Sequence, residues 1–328
     1  MGEKKMTSIG GQAVIEGVMM RGPYKTAVAV RKPDGEIIID EKETKGIGKW
    51  AKIPIVRGCV SFVSSLVTGV QALMFSAKFF DVEEEEKPKK EKLKNKENKK
   101  VKNKEKINKK EAKEHENKEE SIPEWVLYLS VVLAVGMSVG LFIVLPNVIS
   151  NLFVTNREAN PVIYNLVESI VKIIIFLGYL LLVSRMKDIQ RTFEYHGAEH
   201  KTIFCYENGE ELTVENVRKY SRFHPRCGTS FLLFVVIISI IVFSVVGVYE
   251  NPLVNMGLRL LLLPLVAGIS YEIIKFAGKS KSKCVTWLNA PGKWLQRFTT
   301  REPDDSQIEV AIASLKAVIP VNKDDDRW

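Results

Sequence analysis

Residues 162–183 read VIYNLVESIVKIIIFLGYLLLV, and that run decides which solvent the chain meets. Only two charges interrupt it, Glu168 and Lys172. It has the roughly 20 apolar residues that a helix needs to cross about 30 Å of hydrocarbon. On a helix the two charges stand at i, i+4 and can pair. Three further runs reach spanning length: Trp125 to Leu145, Phe231 to Val248 and Leu253 to Phe276. Pro146 and Pro161 bound the first connection, and Asn251-Pro252 leaves only a few residues between the last two runs, which predicts a tight antiparallel hairpin. Arg259 and Glu272, inside the fourth run, need partners or an interface. Ion pairs between packed helices and snorkelling side chains account for such charges more simply than a transport path does.

Basic residues orient these spans. The segment 184–230 carries Arg185, Lys187, Arg191, Lys201, Arg218, Lys219, Arg222 and Arg226, and the last run is followed by Lys275, Lys279, Lys281 and Lys283. The other two connections hold little basic charge beyond Arg157. By the positive-inside rule, that segment and both termini face the cytoplasm. The chain therefore reads as an α-helical multipass membrane protein with a first transmembrane pair at 125–183 and a second at 231–277.

Between the pairs lies the stretch with chemistry. TFEYHGAEHKTIFCYE, from Thr192 to Glu207, is followed by FHPRCG ending at Gly228, and together they hold three of the four histidines. His196, Glu199 and His200 fall at i, i+3 and i+4, one face of a helix. This is the H-x-x-E-H spacing in which two imidazoles bind a metal and the carboxylate acts as general base. His224 and Cys227 can supply further ligands; zinc takes four in a closed structural site, or three plus water in a catalytic one. Glu194 and Arg226 stand close to these residues in sequence. Cys205, beside Ile203 and Phe204, reads as a packed thiol.

The flanks are less explicit. Residues 1–50 form a small β-rich unit: Ala27–Val30 and Ile37–Ile39 flank Pro33-Asp34-Gly35, a hairpin signal. Before it, GGQAVIEGVMMRGP from Gly10 to Pro23 reads as tight turns; its only charges, Glu16 and Arg21, are candidates to face the site. Residues 53–80 are apolar but diluted by serines, Thr68 and Gln71, which suits an interfacial or re-entrant helix. Residues 81–120 are almost entirely Lys, Glu and Asn, a disordered linker with His115 solvated inside it. The segment 284–328 places Trp287, Trp294 and Phe298 at the membrane interface, then a helix with Ser306 as N-cap. Glu302, Asp304 and Asp305 precede that helix; such acids can add an oxygen ligand to a metal but more often cap a helix.

The formal net charge is +9 over 328 residues. It is spread over membrane flanks and a tract nearly balanced between Lys and Glu, which points to a bilayer surface rather than nucleic acid. The four cysteines show no disulfide-framework spacing, so reduced thiols are expected. The N-terminus lacks the apolar core of an export signal.

Four motifs in order, GGQAVIEGVMMRGP at 10–23, EYHGAEHK at 194–201, HPRCGTSF at 224–231 and TTREPDDSQIEVAI at 299–312, resemble the YqhQ-like family of bacterial membrane proteins. That family is a domain of unknown function, described as predicted metal-dependent enzymes. The resemblance implies a multipass protein of the bacterial cytoplasmic membrane whose motifs assemble on one side. Two functions are then expected. In one, a metal-dependent hydrolase acts at the cytoplasmic face on a membrane-bound substrate or membrane protein, with His196, His200, His224 and Cys227 holding zinc and Glu199 as base. In the other, the chain is a non-catalytic scaffold or biogenesis factor with a structural zinc site.

Overall fold

The computed structural model describes residues 6–44, 53–80, 124–154, 160–247, 249, 251–279, 290–322 and 325–326. The expected linker at 81–120, with His115, lies outside the described residues, as do Cys284 and Trp287.

The N-terminal unit is a four-stranded antiparallel meander: β1 Gly10–Val14, β2 Gly17–Arg21, β3 Lys25–Arg31 and β4 Ile37–Glu43. The Asp-Gly turn between β3 and β4 is as expected, with Gly35 at φ 91°. The glycine-rich stretch before it is a hairpin rather than a chain of tight turns. Val14 pairs with Gly17 across a two-residue connection, where Glu16 takes φ 49°.

β2 and the middle of β3 are covered on both faces, which is why they read as apolar runs, whereas β1 and β4 at the edges are largely exposed. α1 Val56–Ala77 lies on one face, where Ala72 and Phe75 meet Val14, Met19, Val28 and Val30. The opposite face, with Val18, Met20, Ala27 and Ala29, packs on helices from the second half of the chain.

The bundle begins with α2 Glu124–Val139, a π-turn over Gly140–Val144 and α3 Leu145–Phe153. Pro146 therefore does not end the first run. It occupies the first turn of α3, where a missing N–H leaves no bond unmade, and the π-turn before it absorbs the change of register. α4 Pro161–Val183 returns alongside and is followed by α5 Lys187–Glu207 and the short α6 Val214–Arg218. α7 Gly228–Val246 and α8 Pro252–Lys279 make the expected hairpin. α9 Ala290–Thr299 packs on α7, and α10 Asp305–Val318 lies on β2, β3 and α5.

Among the described residues, four helical stretches are long and apolar enough to cross a membrane: Val56–Ala77, Leu129–Phe153, Pro161–Val183 and Leu253–Phe276; Phe234–Val246 is a shorter apolar one. Three of the four expected runs recur in this set, and α1 joins them because its serines are interspersed with Val, Leu and Phe; the fourth expected run is α7, apolar along Gly228–Val246 and ended by Gly247 at φ 86°.

Charges inside the bundle are paired. Arg259 on α8 forms an ion pair with Glu168 on α4 and donates to Asn165 Oδ1 at 3.1 Å, and Lys172 meets Glu168 at 2.9 Å. Glu272 pairs with Arg57 of α1. α1 also touches α8 backbone to backbone, because a Cβ on Gly58 would lie 2.8 Å from the Gly268 carbonyl. It thus bridges the helix hairpin and the sheet.

Candidate metal centre

The motif 194–201 is helical, as its spacing predicts, within α5. Gly197 in mid-helix is disfavoured by about 1 kcal/mol relative to alanine, and packing explains why it is there. A Cβ at 197 would stand 2.0 Å from the Arg301 carbonyl oxygen. The segment 299–303 runs directly against α5, and the Arg301 N–H donates to the Phe193 carbonyl at 2.9 Å.

That contact orients the imidazoles. His196 Nδ1 lies 2.8 Å from the Thr299 carbonyl and His200 Nδ1 lies 2.5 Å from the Arg222 carbonyl. A carbonyl only accepts, so each Nδ1 carries a proton and Nε2 is the atom left for a metal, which on His196 must first give up the proton it shares with Cys227. This is the arrangement that orients metal-ligating histidines. Cys227, at the N-cap of α7, completes a trio: His196 Nε2 is 3.3 Å from Cys227 Sγ, and the ligand atoms of His196, His200 and Cys227 all lie within 4.8 Å of one another. A two-nitrogen, one-sulfur donor set suits zinc.

Electrostatics favour the ligand form of the thiol. Burial works against a thiolate, yet the neighbouring His196 and His200 hold the Cys227 thiol well below its ordinary range. Burial likewise opposes charge on His196, but the adjacent Cys227 and Glu199 raise its pKa to about 9. Glu199 is 4% exposed, and its Oε2 is 3.8 Å from His196 Nε2. Burial raises its carboxyl pKa against the pull of His200 and His196, while the Gly11 N–H donates to it. All four side chains line a cavity of about 430 Å³, together with Gly10, Gly11 and Gln12 of β1.

Other expected site residues are placed elsewhere. His224 is adjacent, its ring 5.5 Å from that of His200, but it is not in the trio. Its Nδ1 accepts from the Arg226 N–H, so Nε2 carries the proton, and that atom faces Glu207 at 3.7 Å. Arg226 pairs with Glu207 and donates to the Thr7 carbonyl. Glu16 binds Arg191 and the Tyr195 hydroxyl, and Arg21 donates to Ser64 of α1. Glu194 accepts from Gln307, and Glu302 pairs with Lys201 at 2.6 Å. Asp304, rather than Ser306, is the N-cap of α10, in a capping box with Gln307.

Three participants are not among the site residues expected from the sequence. Gly11 brings backbone against Glu199, where a Cβ would meet the glutamate Cγ at 3.0 Å. Gln296 clamps His224 by accepting from its N–H and donating to its carbonyl. Glu207 gathers the Thr7 N–H, Arg226 and His224. Only a charge pattern read across the whole fold would have found it.

Burial pushes the His224 pKa down to about 4, against the opposing pull of Glu207. The unfolded chain, with an ordinary histidine, binds more protons than the folded one between about pH 6.5 and that value. Stability is therefore fully present above pH 6.5 and falls as pH drops through the window, by up to about 3 kcal/mol. A His224→Gln protein should show a shallower fall in melting temperature between pH 7 and pH 4.5 than the parent; equal slopes would refute the assignment.

The profile of a family described as "Protein of unknown function (DUF1385)" matches residues 53–321. The chain belongs to this family. The "Uncharacterized protein YqhQ" of Bacillus subtilis (strain 168) is 34% identical over 321 residues, covering 94% of this chain and 92% of the relative. No solved structure matches. The YqhQ-like resemblance of the four motifs is thus a family membership, and it carries no activity with it.

Proposed function

We propose that this DUF1385 protein is a metal-dependent hydrolase of the bacterial cytoplasmic membrane, with its site and both termini on the cytoplasmic side and a membrane-bound substrate. The observation that carries this reading is the buried Glu199 carboxylate beside the His196–His200–Cys227 trio, on the wall of an accessible cavity. His196 Nε2, His200 Nε2 and Cys227 Sγ would hold a divalent metal, zinc by the softness of the set. When bound, such an ion supplies Lewis-acid polarisation of a carbonyl or of water. Glu199 accepts a proton at Oε2 and returns it to the leaving group, and the Gly11 N–H fixes the carboxylate in place. The bilayer is the solvent for the apolar helices, whose outward residues include Leu133, Ile174, Leu182 and Leu261.

One observation favours a second reading. The trio ties α5 to the start of α7, so a metal there would also brace the helices, as in a scaffold with structural zinc. Glu199→Gln separates the two. Purified parent and variant are incubated with membrane extract from cells lacking the protein, and products are followed by mass spectrometry. The hydrolytic reading expects equal zinc in both and at least about a hundredfold slower product formation in the variant. Equal product from both, or none from the parent, would leave the scaffold.

A further inference from the structure

We infer that Arg21 and Ser64 form a binding site for the phosphate of an anionic lipid headgroup, at the boundary where the N-terminal sheet meets the apolar helices. The inference rests on the bilayer placement in the proposed function and is independent of the hydrolytic chemistry.

α1 fixes where that boundary lies. Its second half is on the sheet: Ala72 and Phe75 meet Val14, Met19, Val28 and Val30, and a Cβ on Gly69 would strike the Gln12 side chain. Its first half is on the helix hairpin, with Gly58 against Gly268 and the Phe62 ring 5.9 Å from that of Phe231, one turn beyond Cys227. Ser64 lies between these halves. There Arg21, the last residue of β2, reaches α1, and its Nη2 donates to Ser64 Oγ at 3.1 Å. The strand thus ends with its guanidinium where protein in water gives way to protein in lipid.

The charge is unanswered within the fold. Arg31 faces Glu309, Arg57 faces Glu272, Arg226 faces Glu207 and Arg259 faces Glu168. Among the described residues no carboxylate pairs with Arg21, although its side chain is half-buried. Burial lowers its pKa, and only the nearby Tyr271 of α8 opposes that pull. A guanidinium drawn partly out of water without a counter-charge is costly. Its planar fork of donors matches a phosphate, which accepts parallel N–H bonds. Ser64, a neutral acceptor, orients the fork and leaves its charge unmet.

The surroundings suit a lipid better than free phosphate. Beside Ser64 on α1 stand Val63, Leu66 and Val67, all exposed, an apolar strip against which acyl chains can lie. Anionic lipids give the cytoplasmic leaflet its negative surface potential, so the headgroup is abundant on the side where the sheet is placed. Gly10, opposite Arg21 in the ladder, lines the metal-site cavity, so the headgroup would be held beside that cavity.

The test incubates the detergent-purified full chain with an equimolar mixture of phosphatidylglycerol and phosphatidylcholine and counts the retained lipids by native mass spectrometry. The parent should keep one phosphatidylglycerol in preference to phosphatidylcholine. Arg21→Gln should lower that retention about tenfold, and Arg21→Lys, which keeps the charge but not the fork, about threefold. Arg297→Gln, at an exposed position on α9, should leave it unchanged. Melting temperatures in phosphatidylcholine micelles identify the variants that fold. No preference in the parent, full retention by a folded Arg21→Gln or Arg21→Lys protein, or equal loss in Arg21→Gln and Arg297→Gln would overturn the site. Displacement of the lipid by inorganic phosphate would overturn its assignment to a headgroup. A parent that stays monodisperse without detergent or lipid would instead overturn the bilayer placement.

Discussion

A chain carrying both His196→Ala and His200→Ala is expected to leave purification with zinc at background, where the parent carries about one ion per chain. The expectation follows from how the rings are held. Each is tied through Nδ1 to a backbone carbonyl from another part of the chain, Thr299 for His196 and Arg222 for His200, so both rings are already turned toward Cys227, and an arriving ion has only to replace the proton that His196 Nε2 shares with the thiolate. Binding then requires little reorganisation, and removing two of three donors leaves a single thiol that cannot retain a metal against dilution. Apparent zinc-binding free energies of about 10–16 kcal/mol in small structural sites indicate the size of what would be lost. Elemental analysis of parent and variant in the same detergent reads the result, with melting temperature as the check on folding. Unchanged zinc in the double variant, or none in the parent, would remove the metal and with it the chemistry assigned to Glu199.

Helical periodicity made the inner part of this site legible. His196, Glu199 and His200 follow from residue spacing alone, and the helix forms around them because α5 buries Tyr195, Ala198 and Ile203 against the sheet and α10. The fold brings Cys227 within 4.8 Å of both imidazoles but turns His224, three residues earlier, elsewhere, since proximity in sequence says nothing about which ring nitrogen is protonated. The Arg226 N–H on Nδ1 and Glu207 opposite Nε2 decide that, and both are tertiary facts. Charge counting failed in the same way for Glu16, Glu194 and Glu302. Each is polar and near the motif, but each is satisfied by Arg191, Gln307 or Lys201 respectively.

The long apolar helices show a similar division. Hydropathy found the α4 and α8 helices and anticipated the Glu168–Lys172 pair, because both are properties of one segment. It did not reveal that Arg259 answers Glu168 across the bundle, or that α1 lies on the sheet with its opposite side, including Val63, Leu66 and Val67, left exposed. Those depend on which helix faces come together.

Gly197→Ala sets a local rule against a tertiary one. Helix propensity favours alanine by about 1 kcal/mol, so an isolated α5 would gain stability. In the folded chain the new methyl would stand 2.0 Å from the Arg301 oxygen, 3.2 Å from its carbonyl carbon and 3.4 Å from Pro303 Cδ. The obstacle is mainly backbone, so no side-chain rotation relieves it, and the segment 299–303 must move away from the helix. That movement lengthens the 2.9 Å bond from Arg301 N–H to Phe193 and the 2.8 Å bond that orients His196. Overpacking and two weakened hydrogen bonds outweigh propensity, for a net loss of about 3 kcal/mol. Zinc affinity should fall as well, because His196 would no longer be held with Nε2 toward Cys227. Gly178→Ala on α4, whose Cβ would meet nothing within 4 Å, is the matched control and should be neutral or slightly stabilising. Thermal melts of the two variants with and without added zinc decide the matter. If Gly197→Ala melts no lower than Gly178→Ala, then α5 and the segment 299–303 are not in the contact that positions the first imidazole.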